Sequence, residues 1–254
     1  GVLNESRTNL TESKKQFVTS RKINTLEEAM KGADVFLGLS RADILTTEMV
    51  RSMNDKPIVF ALANPNPEIA YDKAKSSRPD LIFATGRSDY PNQINNVLGF
   101  PYIFRGALDV RATCINEEMK LAAVYAIADL AKKPVPDVVN AAYNLKRISF
   151  GPDYIIPKAL DPRLLTSVAP AVAKAAIESG VARKKITDWV EYEGHLRSVM
   201  GYDNKMIRRF TEMAKQNPKK VVFAEANHAN MLSAAAMAYQ EGICYHILLG
   251  NQDI

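Results

Sequence analysis

The sequence predicts an α/β protein: the second half of a doubly wound, Rossmann-like parallel sheet, followed by the first βαβ unit of a second α/β domain. Three observations carry this expectation. Residues 34–40, 57–63 and 81–84 are short apolar runs, each stopped by a polar turn. Continuous runs of this kind suit parallel strands covered on both faces. Helical patterns separate the runs, and the alternation returns over residues 219–226, 230–240 and 245–250.

Taken in order, residues 11–19 form a charged helix candidate. Thr25-Leu-Glu-Glu28 is a capping box, in which Thr25 caps the helix and Glu28 reaches back. That helix runs through Met30 and stops at Gly32, a suitable residue just past a helix end. The first strand follows and closes on Gly38-Leu39-Ser40. Gly38 has two readings: a backbone without Cβ that a ligand can approach closely, or a plain strand-to-loop turn. Residues 47–53 form a short helix. The second strand ends at Asn64-Pro65-Asn66-Pro67, where each proline biases the preceding Asn toward extended backbone and keeps a helix from starting.

The third strand stops at Gly86, and a dense polar turn follows. It holds Arg87, Ser88, Asp89, Asn92, Gln93, Asn95 and Asn96 within ten residues. Open α/β sheets bind ligands beyond the carboxyl ends of their strands. Side-chain amides there donate and accept, so they can hold a carboxylate, a hydroxyl or a carboxamide. The alternative is a solvated connection built from turn-forming Asn and Asp.

Asn116 caps a long helix with Glu117 and Glu118 in its positive first turn. Its buried face is Met119, Ala122, Ala123, Ala126, Ile127 and Leu130, and Pro134 stops it. Residues 136–143 form a short helix. Residues 163–178 form an Ala-rich one that ends at Ser179-Gly180. Composition changes at Arg183-Lys184-Lys185. Residues 188–198 and 203–215 then read as surface helices, broken at Gly201-Tyr202 and at Asn217-Pro218.

The chain has 254 residues, 47% hydrophobic and 24% charged, an ordinary globular composition. No apolar run approaches the ~20 residues of a membrane helix. Net charge is +5 and the pI about 9.1. The basic residues are scattered and not interleaved with aromatics, which argues against a nucleic-acid platform. A mild positive excess suits an anionic substrate and a phosphorylated coenzyme. Cys114 and Cys244 make no metal-type pair, and reduced thiols in a cytoplasmic protein are expected. His195, His228 and His246 fall in no ligand spacing and read as structural. Arg87, Asp89 and Arg105 read as loop-bracing ion-pair residues.

Four words carry a resemblance to bacterial malic enzymes. They are Ala61-Leu-Ala-Asn-Pro-Asn-Pro-Glu68, Thr85-Gly-Arg-Ser-Asp-Tyr-Pro-Asn-Gln93, Asn95-Asn-Val-Leu-Gly-Phe-Pro-Tyr-Ile-Phe-Arg-Gly-Ala-Leu-Asp109 and Phe150-Gly-Pro-Asp-Tyr-Ile-Ile-Pro157. The match covers residues 1–182. Beyond it, Val222-Phe-Ala-Glu225 and Ile247-Leu-Leu-Gly250 resemble the start of a phosphotransacetylase domain, although Asn227-His228 stand where acidic residues are usual.

The resemblance implies residues 1–182 as an NAD(P)-binding domain without its first part, 183–218 as a helical linker and 219–254 as the start of a phosphotransacetylase-like domain. No Gly-x-Gly-x-x-Gly precedes the first strand, so an internal piece of a longer protein is expected. The implied activity is oxidative decarboxylation of L-malate to pyruvate, with NADP or NAD as coenzyme and Mg²⁺ or Mn²⁺ as Lewis acid. The resemblance places the base, the acid and the metal ligands before residue 1, so no catalytic residue or metal ligand is expected within the chain and these residues alone are expected to be inactive. Asn64 and Asn96 are implied as substrate-binding. Asn64, Asn95, Asn96, Gly38, Leu39 and Ser40 are implied to face the coenzyme. A homo-oligomer is implied, and so is an acetyl-CoA effector at the C-terminal domain. The competing reading is an acetyl-CoA or acetyl-phosphate binding or transferase module, with its main pocket in residues 221–254.

Overall fold

The computed structural model describes residues 2–8, 10–145, 147–200 and 205–251, without the side chains of 205–208. The chain divides into two compact units. One is Gly1–Asn96 with Gly151–Ala159, and the other is Val97–Phe150 with Leu160–Ile254.

The first unit is built on three parallel strands, β1 (Val35–Gly38), β2 (Ile58–Ala61) and β3 (Ile82–Thr85), in the order β1-β2-β3. The register sets Gly38 beside Ala61 and Ala61 beside Thr85, so all three strands end on one rim. The helix expected over 11–19 shortens to α1 (Glu12–Lys15). Thr19 bridges to Asn4 as an isolated strand pair, which draws the backbone after α1 out of helical conformation. Helix α2 (Leu26–Met30) precedes β1, α3 (Thr47–Arg51) joins β1 to β2, and α4 (Tyr71–Ser77) joins β2 to β3. The capping box at Thr25 forms in full, and Gly32 takes φ +70° just past the end of α2. Thr46 caps α3 by accepting from the Met49 N–H.

Phe36, Val59, Ala61 and Phe83 point from the sheet into a core completed by Met30, Val50, Met53, Ile69 and Ala74. Strand residues alternate faces, so Val35 and Leu37 lie on the other side, where they are 56% and 58% exposed. The continuous apolar runs predict two covered faces. In this unit β1 instead alternates exposed and buried, and its core packs on one face only.

A 3₁₀ turn (Asn96–Leu98) leads into α5 (Phe100–Asp109), the first helix of the second unit. That unit continues with α6 (Glu117–Lys132), α7 (Asp137–Ala142), α8 (Arg163–Glu178), α9 (Trp189–Val199) and α10 (Lys205–Gln216). The break expected at Gly201-Tyr202, and Asp203 as a helix start, lie outside the described residues. Helix α8 packs on both α5 and α6. It crosses α5 so closely that a Cβ on Gly106 would sit 2.4 Å from the Ala169 carbonyl oxygen, and only glycine allows that approach. The Asn116 cap accepts from the Met119 N–H as its sequence position predicts. The unit closes with β4 (Lys219–Phe223), α11 (Ala229–Gln240) and β5 (Cys244–Leu248), a parallel βαβ unit.

Candidate functional site

The carboxyl rim of the three-stranded sheet opens into a cleft of about 620 Å³. Three turns line it, one from each strand. The turn after β1 supplies Leu39, and the turn after β2 supplies Leu62, Ala63, Asn64 and Pro65. The turn after β3 supplies Gly86, Arg87, Ser88, Asp89, Gln93, Ile94, Asn95 and Asn96. Of the residues singled out from the sequence, Leu39, Asn64, Asn95 and Asn96 therefore meet in one cleft. Gly38 and Ser40 do not line it.

The lining is mostly polar, with neutral amides prominent and a smaller apolar part. Leu39, Leu62, Pro65 and Ile94 offer surface for a flat ring. Asn64, Gln93, Asn95 and Asn96 offer donors and acceptors. The three asparagines are exposed, so ligands reach them from solvent. Among the described residues, the ionic groups in the lining are Arg87 and Asp89, and they neutralise each other. Arg87 donates from Nε to Asp89 Oδ1 at 3.0 Å and from Nη2 to Oδ2 at 2.7 Å. Half-exposed pairs of this kind add little stability, but the two-point geometry fixes the start of the turn. Arg87 thus braces its loop, as its sequence position suggests. Arg105 braces a helix instead: it pairs with Asp109 one turn along α5, and the Tyr192 hydroxyl also donates to Asp109, at 2.5 Å. Burial first, and then this bond, push the Tyr192 hydroxyl far above the usual phenol range.

Two buried residues that shape the cleft carry no ligand-facing signal in the sequence. Asn92 is 2% exposed and sits at φ +53°, a left-handed conformation that Asn tolerates better than most residues. Its Nδ2 donates to the Phe83 carbonyl at 2.9 Å and to the Pro152 carbonyl at 2.7 Å. Its Oδ1 accepts from the Ile155 N–H at 2.8 Å. Backbone bonds from Thr85 N–H to the Asn92 carbonyl and from Ile94 N–H to the Thr85 carbonyl complete the tie. One side chain thus pins the amide-bearing turn to β3 and to the 151–159 segment. An Asn close after a Gly-ended strand is the available signal, but it does not separate Asn92 from Asn95 and Asn96.

The second is Glu68, fully buried, whose carboxylate accepts from the Ser40 N–H and the Ala63 N–H, each at 3.0 Å. It also explains Gly38. A Cβ there would lie 2.4 Å from Glu68 Cδ, so the space that the glycine leaves is taken by this carboxylate. The space on the Cβ side of Gly38 is thus filled by protein, and Gly38 does not line the cleft. A lone Glu between Pro67 and the apolar Ile69-Ala70 is the signal that marks it.

Lys158, buried in the 151–159 segment, has its ammonium pushed down by burial, but it does not line the cleft. Among the described residues no three His, Cys, Asp or Glu side chains gather as metal ligands. Among the described residues no helix is long and apolar enough to cross a membrane. Within the second unit a cleft of about 630 Å³ is lined mostly from α6 and α8, with Lys215, Met237, Gln240 and Glu241 also contributing. His195 is exposed on α9, His228 precedes α11, and His246 stands edge-on to the Tyr239 ring at 4.9 Å.

Comparison with known proteins decides the family. Residues 1–150 match the family model of the malic enzyme NAD binding domain. The chain belongs to the malic enzyme family. Residues 205–254 match a second family model, phosphate acetyl/butaryl transferase. The NADP-dependent malic enzyme of Rhizobium meliloti is 48% identical over 255 residues, covering all of this chain and 34% of that protein. An NAD-dependent malic enzyme of the same organism is 48% identical over 230 residues, covering 90% of this chain and 30% of its own length. The chain thus spans about a third of the length of these malic enzymes. A crystal structure of malic enzyme from Pyrococcus horikoshii is similar with a TM-score of 0.60 and 38% identity, over 78% of this chain and 42% of that one. The cleft at the sheet's carboxyl rim lies wholly within the region matched to the malic enzyme model.

Proposed function

We propose that this chain forms the coenzyme- and substrate-facing rim of an enzyme that oxidises and decarboxylates L-malate to pyruvate and CO₂. One observation carries the proposal: three neutral asparagine amides, Asn64, Asn95 and Asn96, meet in a single cleft at the carboxyl ends of parallel strands. This is where such sheets bind nucleotides. The bound nicotinamide supplies a hydride acceptor for malate C2. Asn64 holds the nicotinamide carboxamide, with Asn95 beside it, and Leu39 offers its apolar side chain to the ring. Asn96 orients a malate carboxylate. Neutral amides do this without adding charge beside the reacting carbon, and a fixed orientation lowers the entropy that the hydride transfer must overcome.

The remaining assignments follow from the same reading. Residues 1–182 serve the NAD(P)-binding domain, 183–218 a helical linker and 219–254 the start of a phosphotransacetylase-like domain. The match of residues 205–254 to an acyltransferase model supports a site for an acetyl-CoA effector in that last part. The protein is cytoplasmic and homo-oligomeric in this reading, and its malate chemistry uses Mg²⁺ or Mn²⁺. The test is malate-dependent reduction of NADP and of NAD by the full-length protein with either metal ion. Turnover with one coenzyme supports the proposal and names the subtype. A protein inert with malate under both coenzymes, but able to bind acetyl-CoA, favours the acyl-binding reading.

A further inference from the structure

Glu68 is more than a buried polar residue. Its carboxylate reaches across two strand ends and holds one backbone amide on each: Ser40, next to Leu39 after β1, and Ala63, next to Asn64 after β2. Its own backbone adds to the stitch, because the Glu68 carbonyl accepts from the Leu45 N–H at 3.0 Å and the Pro67 carbonyl accepts from the Asp43 N–H at 3.3 Å. The Leu62 N–H donates to the Gly38 carbonyl on the same rim. Bonds to a carboxylate are among the stronger protein hydrogen bonds, and a fully buried site keeps water from competing for them. Both amides immediately flank residues that line the cleft, yet Glu68 itself does not line it.

We propose that Glu68 is a positioning residue for the coenzyme, fixing the spacing between the Leu39 turn and the Asn64 turn so that ring surface and amide face one ligand together. The inference rests on the coenzyme reading of the cleft. Gly38 belongs to the same device, since any Cβ there displaces the carboxylate. Glutamine at position 68 keeps the size but replaces one acceptor oxygen with an NH₂ donor, so it can serve only one of the two amides.

The test measures NADPH and NADH affinity of the full-length protein by fluorescence titration, for wild type, Glu68→Gln, Glu68→Ala, Gly38→Ala and the double variant Gly38→Ala/Glu68→Ala. Amide hydrogen exchange is followed in parallel. Glu68→Gln is expected to weaken coenzyme binding about tenfold, as the loss of one such bond implies. Faster exchange is expected only around residues 39–41 and 62–64, with exchange elsewhere in the unit at the wild-type rate. Gly38→Ala is expected to weaken binding in the wild-type background but to add little to Glu68→Ala, because the displaced group is already gone. Unchanged affinity in Glu68→Gln overturns the positioning role alone. So does weaker binding with faster exchange throughout the unit, which marks a general structural role. A wild type that binds neither coenzyme overturns the cleft reading itself, and this inference with it.

Discussion

Replacing Asn96 by alanine is expected to cut kcat/KM for malate by about a hundredfold in the full-length protein, the scale of losing a directed polar contact to a charged ligand. The loss appears mainly as a raised malate KM if the contact is equal in ground and transition states. It appears mainly in kcat if the contact tightens as the hydride leaves. Asn96 is exposed on the single turn before α5, so its removal leaves the core untouched and folding intact. Asn96→Asp separates charge from shape. It keeps the size of the side chain but sets a carboxylate against the carboxylates of malate, and it is expected to be at least as damaging as alanine. Steady-state kinetics with malate at saturating coenzyme check both. Activity in Asn96→Ala indistinguishable from wild type excludes a substrate-binding role.

The largest stability effect is expected at Asn92. Alanine there deserts the buried Phe83 carbonyl and two part-buried partners, the Pro152 carbonyl and the Ile155 N–H, each bond worth about 1 kcal/mol. Alanine also favours the left-handed conformation less than Asn does, adding about 1 kcal/mol. A total of roughly 3–5 kcal/mol is expected from these terms. Chemical denaturation followed by hydrogen exchange in residues 2–96 measures it. Asn92→Gly should recover only the conformational part. Asn92→Asp should recover little: it keeps the left-handed preference and an acceptor for the Ile155 N–H, but it aims a carboxylate oxygen at the two carbonyls in place of the donor. A loss below about 1 kcal/mol for Asn92→Ala would show that the turn is held by its backbone alone. Because Asn92 carries the turn that presents Asn95 and Asn96, its variants should also raise malate KM, though Asn92 itself does not line the cleft.

These two residues show what can be read from the sequence and what cannot. The strands, the capping box at Thr25, the Asn116 cap and the bounds of α8 follow from local chemistry, and the described structure has each of them. Asn64 and Asn96 stand in long, specific words, and the fold brings them to one cleft. Asn92 stands in the same polar cluster, but its role depends on carbonyls at positions 83 and 152 that spacing does not connect. Glu68 is a sharper case. Its bonds reach 28 residues back to Ser40, and without them the purpose of Gly38 reads as room for a ligand. Helix α5 is hidden because its aromatic sequence, Phe100-Pro-Tyr-Ile-Phe104, has no strong helix propensity, and its packing against α8 at Gly106 is set by the fold. The open face of β1 escapes the sequence because apolar runs report burial in a complete sheet and not which face a given unit covers.

The most direct test is a crystal structure of the full-length protein with NADP or NAD and an unreactive dicarboxylate. The nicotinamide carboxamide should lie within hydrogen-bond distance of Asn64, the ring against Leu39, and a carboxylate of the ligand on Asn96. A coenzyme bound away from this rim, with Asn64 and Asn96 both left to solvent, would contradict the account.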